Sequence, residues 1–143
     1  MEISPKRMDH AQSIQVAAEI SEQLRSHFGD GVIAIGIYGS STRSSDGPFS
    51  DIELHCVLDQ IEKKYSLKWT NGDWRAEVGL YSVSGILSRA AEVDWQWPAT
   101  HSAFATIQPV FDPTNLFIHL RKSSWLMSMT IAWKSLKSLE RRQ

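Results

Sequence analysis

The stretch that most constrains the chain is YGSSTRSSDGPFSDIEL, residues 38–54, set between the apolar runs 32–38 and 51–58. Gly39-Ser40 ends the first run, a loop of small residues follows, and Asp51-Ile52-Glu53 opens the second run. Side chains alternate along a strand, so Asp51 and Glu53 share one face while Ile52 and Leu54 take the other. Like charges about 4 Å apart cost roughly 4 kcal/mol at an effective dielectric near 20. A hard divalent cation removes that cost, and Mg2+ favours one or two carboxylates together with phosphate oxygens. A Gly-Ser turn offers backbone N–H groups and a hydroxyl to such phosphates. The order Gly-Ser, loop, Asp-x-Glu between two strands is therefore suited to metal-dependent nucleotidyl transfer.

The rest of the composition sets the frame for that site. A length of 143 residues suffices for one domain with a real core. Apolar residues make up 42% and charged residues 22%, the balance of a globular protein. A net charge of −1 gives no global attraction to nucleic acid or to an anionic membrane, so neither is expected as a partner. A single cysteine, Cys56, excludes an internal disulfide and reads as a buried reduced thiol in a strand. No run is long enough to span a membrane, and MEISPKRMDH is not a signal peptide, so a cytoplasmic location is expected.

Taken in order, residues 8–28 read as a helix with Ile14, Ala17, Ala18, Leu24 and Phe28 on one face. Gly29-Asp30-Gly31 stops it, and VIAIGIY (32–38) is apolar on both faces, as a covered central strand is. A third strand over 74–81 places Trp74, Ala76, Val78 and Leu80 opposite Arg75, Glu77 and Gly79. Asn71-Gly72 ahead of it is a turn signal, which makes Lys68–Thr70 the other arm of a hairpin. Residues 84–94 form a short helix capped by Ser82 or Ser84, and AFATIQPVF supplies one more strand, which Pro109 confines to an edge. Asp112-Pro113 gives a cap and a first-turn proline for a long terminal helix over about 114–142. The expected fold class is α/β (α+β), a small mixed sheet packed by helices, in one domain over 1–143.

At these residues the sequence resembles a known family. Gly39-Ser40, a loop carrying Arg43, and Ser50-Asp51-Ile52-Glu53 look like the nucleotidyltransferase superfamily of the DNA polymerase beta type. With WTNGDWRAEV and DWQWPATHSAF downstream, residues 8–122 are similar to the kanamycin nucleotidyltransferase family of aminoglycoside-modifying enzymes. The resemblance implies a nucleotidyltransferase fold in which Asp51, Glu53 and Glu77 bind Mg2+. It also implies that Gly39 and Ser40 form the phosphate-binding turn, that Arg43 contacts the nucleotide phosphates, and that Ser50 helps hold them. The reaction implied is attack by a hydroxyl of an aminoglycoside-type acceptor on the α-phosphorus of ATP, with pyrophosphate leaving. The family's general base lies in a second, helical domain, and no residue of this sequence is assigned to that role.

Two alternative readings accompany this one: a stand-alone nucleotidyltransferase module acting with a helical, antitoxin-like partner, and a truncated relative that binds nucleotide with weak turnover. Among lesser candidates, His101 reads as a packing residue, and His10, His27, His55 and His119 lack metal-ligand spacing. His55 does share the face of Asp51 and Glu53. Trp69, Trp74, Trp95 and Trp97 read as core rather than a stacking platform. The terminal segment is apolar on two sides, with Leu116, Leu120, Met127 and Ile131 on one and Ile118, Trp125, Met129, Trp133 and Leu136 on the other. A helix with two such faces is normally covered on both, so a homodimer or a helical-domain partner is expected there.

Overall fold

The structure, a computed structural model, describes residues 9–39, 51–71, 74–92 and 103–122. Helix α1 (His10–Phe28) begins where Asp9 and Gln12 cap each other. Asp9 Oδ1 accepts from the Gln12 amide at 2.8 Å, and Gln12 Oε1 accepts from the Asp9 amide at 2.9 Å. That reciprocal box satisfies two donors that a helix start otherwise leaves open. Gly29, at φ 59°, ends the helix in a conformation that side chains resist.

The buried stripe of α1 is Ser13, Ala17, Ile20, Ser21 and Leu24, which corrects the sequence expectation. Ile14 stays exposed, as does Ala18. Positions 13, 17, 20, 21 and 24 follow one helical row, and the two serines are small enough to let the helix approach the sheet. Shape complementarity outweighed hydropathy in choosing that face.

Five strands form one mixed sheet in the order β3-β4-β2-β1-β5. They are β1 (Val32–Tyr38), β2 (Ile52–Leu58), β3 (Tyr65–Asn71), β4 (Trp74–Ser82) and β5 (Gln108–Phe111). β1 lies antiparallel to β2, while β2 and β4 are parallel in register from Ile52↔Ala76 to Leu58↔Ser82. The expected hairpin is present and longer than its three-residue signal, running from Tyr65↔Leu80 to Asn71↔Trp74. β5 takes the far edge against β1, where a proline in the strand deprives no neighbour of a hydrogen bond.

Two apolar layers flank the sheet. α1 covers Val32, Ile35, Ile37, Ile52, Leu54, Cys56, Leu58, Ala76, Val78 and Leu80, with Trp69 and Trp74 half-buried at the margin. Those two tryptophans are packing residues, as expected; Trp95, Trp97 and His101 lie outside the described residues. The other layer joins Ala34, Val57 and Tyr81 to helix α2 (Val83–Ala91) and to helical residues 103–106 and 116–122. Ser82 caps α2 by accepting from the Gly85 amide at 2.9 Å. Gly36 makes this layer possible: a Cβ there would sit 2.8 Å from Ile107 Cγ1 and 3.0 Å from Phe117.

Asp112 is a cap, but of a helix that starts later than the sequence implied. Its carboxylate accepts from the amides of Leu116 at 2.8 Å and Phe117 at 3.0 Å. Pro113 lies in the preceding turn rather than in the first helical turn, because Asn115 at φ 55° interrupts the chain between them. Leu116 and Leu120 face inward and Ile118 outward, in the expected phase. The remainder of the expected terminal helix, 123–142, lies outside the described residues. Among the described residues no helix is long and apolar enough to cross a membrane.

Candidate functional site

β2 and β4 place the acidic side chains. Glu53 pairs with Glu77 across the parallel register, on the face opposite α1, and Tyr38 at the end of β1 pairs with Glu53 from the other side. Neighbouring strands are about 4.8 Å apart, so the two carboxylates are adjacent on one surface. Burial, and then Glu53, Tyr81 and Glu77 in that order, push the Tyr38 phenol up from its ordinary range. The ring thus registers the combined field of both acids.

Gly39 follows directly at φ 81°, and a Cβ there would collide with Glu53 Oε2. Both the backbone angle and the space reserve that position for glycine. Asp51 precedes β2 and is exposed, with its Oδ1 accepting from Arg75 Nε at 3.0 Å. Glu77 meets Lys68 Nζ at 3.5 Å across the hairpin. The site is therefore a row of acids, each of Asp51 and Glu77 facing a cation on the neighbouring strand.

Of the residues singled out by sequence, Gly39, Glu53 and Glu77 come together, and Asp51 stands at the same end of the sheet, turned to Arg75. Ser40, Arg43 and Ser50 lie outside the described residues. His55 does neighbour the acids, as a core residue: it stacks on Tyr38 at 4.0 Å, lies 5.5 Å from Phe104, and meets Tyr81 edge-on. Burial, assisted by the charge of Lys64, pulls its imidazole down to about 3, so it is neutral near pH 7.

Sequence reasoning did not pick out Tyr38, Lys68 or Arg75 as site neighbours. Their signals were present. The pair Asn71↔Trp74 leaves two residues between the hairpin strands, and counting outward from it sets Lys68 opposite Glu77.

The donor chemistry fits a hard divalent cation. Glu53 and Glu77 supply carboxylates from adjacent strands, with Asp51 two residues up the chain. Among the described residues, no group of three His, Cys, Asp or Glu is placed to hold a metal ion, so Asp51, turned to Arg75, does not close a triad with Glu53 and Glu77 here. Mg2+ does not need one, because it completes its shell with water and substrate phosphates. The exposed pairs to Arg75 and Lys68 hold these acids weakly, by about 1 kcal/mol or less each.

No family model matches the chain. It is 41% identical over 108 residues to an aminoglycoside nucleotidyltransferase (4') from Staphylococcus aureus and equally to one from a Bacillus species. The aligned part is 76% of this chain and 43% of each relative. Over that part, the chain is similar to aminoglycoside nucleotidyltransferases. It thus spans less than half the length of the curated relatives it matches. A solved nucleotidyltransferase-like protein from Exiguobacterium sibiricum matches 75% of this chain and 38% of its own, at a TM-score of 0.51 and 16% identity. That likeness establishes the fold, a nucleotidyltransferase-like mixed sheet with helices.

Proposed function

We propose that the chain is a nucleotidyltransferase domain that binds ATP with Mg2+ and directs AMP to a hydroxyl of an aminoglycoside-type acceptor. The observation that carries this reading is the in-register pair Glu53↔Glu77 beside a glycine whose Cβ would strike Glu53. Similarity to the aminoglycoside nucleotidyltransferases (4') supports the acceptor class.

In this reading Asp51, Glu53 and Glu77 hold the cation, and the Gly39-Ser40 turn, Arg43 and Ser50 hold phosphate. When bound, Mg2+ supplies charge neutralisation at the phosphates and at the leaving group. The acceptor oxygen bonds to the α-phosphorus as the bond to the bridging oxygen breaks, and pyrophosphate departs with that electron pair. Arg43 offsets the charge that develops. The hydroxyl proton passes to a general base, a role to which no residue of this sequence is assigned. General base catalysis contributes about 10²–10⁴-fold, and a helical partner or second copy is the proposed source of that base. The two-sided apolar pattern over 116–136 is the proposed contact for such a partner.

Calorimetry tests the core of this reading. ATP binding is expected to require divalent metal and to disappear in Asp51→Asn. Equal, metal-independent binding by both proteins would remove the assignment. Transfer of labelled AMP to kanamycin, with and without a supplied partner, tests the acceptor.

A further inference from the structure

On the same face as the acids, one step deeper along β2 and β4, lies a pocket of about 210 Å3. Tyr38, His55, Tyr81 and Phe104 line its aromatic side, and Lys64 and Arg89 bring two cations to it. No carboxylate is among its described lining residues, although Glu53 and Glu77 stand next to it through Tyr38. Lys64 lies with its ammonium 5.0 Å from the centre of the Tyr81 ring, and its charge reaches the buried His55. Arg89 is paired with Glu92 at 3.1 Å. His55 Nδ1 adds a buried polar atom with no hydrogen-bond partner among the described residues.

We propose that this pocket is an oxyanion subsite of the nucleotidyl-transfer centre, in which Lys64 and Arg89 receive a phosphate or carboxylate group beside the metal-binding acids. The inference rests on the function proposed above and adds to it a second charge zone. A polycation is drawn to the acidic row and repelled from the pocket, whereas an anion is repelled by the row and drawn to the pocket. A substrate with both kinds of group, or a nucleotide whose phosphates extend past the acids, is oriented by the pair of zones.

The oxyanion has two sources, the polyphosphate of the donor and an anionic group on the acceptor. They are separated by calorimetry with pyrophosphate and with gluconate, in EDTA, on wild type, Asp51→Asn, Lys64→Gln and Arg89→Met. Lys64 is exposed, so Lys64→Gln leaves the fold intact and circular dichroism verifies it. Wild type is expected to bind at least one of the two probes without metal. Lys64→Gln and Arg89→Met should each weaken that binding roughly tenfold, as loss of a charged hydrogen bond does. Loss confined to pyrophosphate assigns the pocket to the donor, and loss confined to gluconate assigns it to the acceptor. Because the measurement is metal-free and Asp51→Asn removes one charge of the row that repels an anion, this variant should bind at least as tightly as wild type, even if the ATP assignment fails. Absence of binding by both probes, or affinities unchanged in both cation variants, would overturn the subsite.

Discussion

His55 and Cys56 are consecutive residues of one strand, and they belong to different proteins in all but sequence. Cys56 looks towards α1 into a layer of Ile, Leu, Val and Ala side chains, where burial pushes its thiol up to about 12. His55 looks the other way, into Tyr38, Tyr81 and Phe104, next to a row of acids and two cations. Both groups are kept neutral by burial, but only one face offers charged neighbours. Period-two alternation is what makes this division possible: one face is free to be uniformly apolar and carry stability, and the other to carry polar groups that cost stability. The two sides of β2 can therefore be attacked one residue at a time.

The largest effect is expected on the stabilising face. Leu54 is fully buried beneath α1, and Leu54→Ala should lose about 2–5 kcal/mol in urea unfolding through lost transfer energy and a cavity. Its neighbour on the other face should behave oppositely. Glu53→Gln is expected to change stability by no more than about 1 kcal/mol, since it relieves repulsion with Glu77, yet to abolish metal-dependent ATP binding. If Glu53→Gln unfolds as readily as Leu54→Ala, the division of labour between faces is wrong.

Next comes pH, where the two buried groups give limbs of opposite sign. His55 moves from an ordinary 6.5 to about 3 on folding, so between those values the unfolded chain binds the extra proton. Its contribution is intact above 6.5 and is lost as pH falls, by up to roughly 1.4 kcal/mol per unit. Cys56 moves from 9.0 to about 12, so between those values the unfolded chain releases a proton first and stability falls as pH rises. Metal-free protein unfolded in urea across the range should show His55→Phe with a flatter acid limb and Cys56→Ala with a flatter alkaline one. A constant offset from wild type at every pH would show that these groups do not titrate as placed.

Much of the scaffold was legible before the structure. The strands read at 32–38, 51–58 and 74–81 declared themselves through apolar runs and alternating faces, within a residue of those observed, and Asn71-Gly72 announced the hairpin. Pro109 rightly forced its strand to an edge because the missing N–H is a local fact. What sequence did not give was decided by contacts distant in the chain. Ser13 and Ser21 on the buried stripe of α1 follow from how closely that helix approaches the sheet. Asn115 follows from the turn that brings Asp112 under the amides of Leu116 and Phe117. At the site, the acids were legible as an Asp-x-Glu pair and a third carboxylate on an apolar strand. Their cations were not, because Lys68 and Arg75 acquire meaning only through strand register.

Those cations give the smallest expected effect, and one with an informative sign. Lys68 lies 3.5 Å from Glu77, with 69% of its side chain and 41% of that of Glu77 open to solvent. A pair this exposed contributes about 0–1 kcal/mol, so Lys68→Ala should barely move the unfolding midpoint. At the acidic row the same substitution should act in the other direction. Lys68 offsets the charge of Glu77, and any divalent cation must displace it or share the carboxylate with it. Attraction at that separation is worth about 1 kcal/mol in high dielectric, which corresponds to a change of roughly fivefold in an equilibrium constant. Mg2+-dependent ATP binding should therefore tighten a few-fold in Lys68→Ala, whereas Glu77→Gln weakens it. Side-by-side calorimetry at one ionic strength measures both. Weaker binding in Lys68→Ala would mean that the lysine contacts the nucleotide itself, and that the acidic row and its cations act together on phosphate.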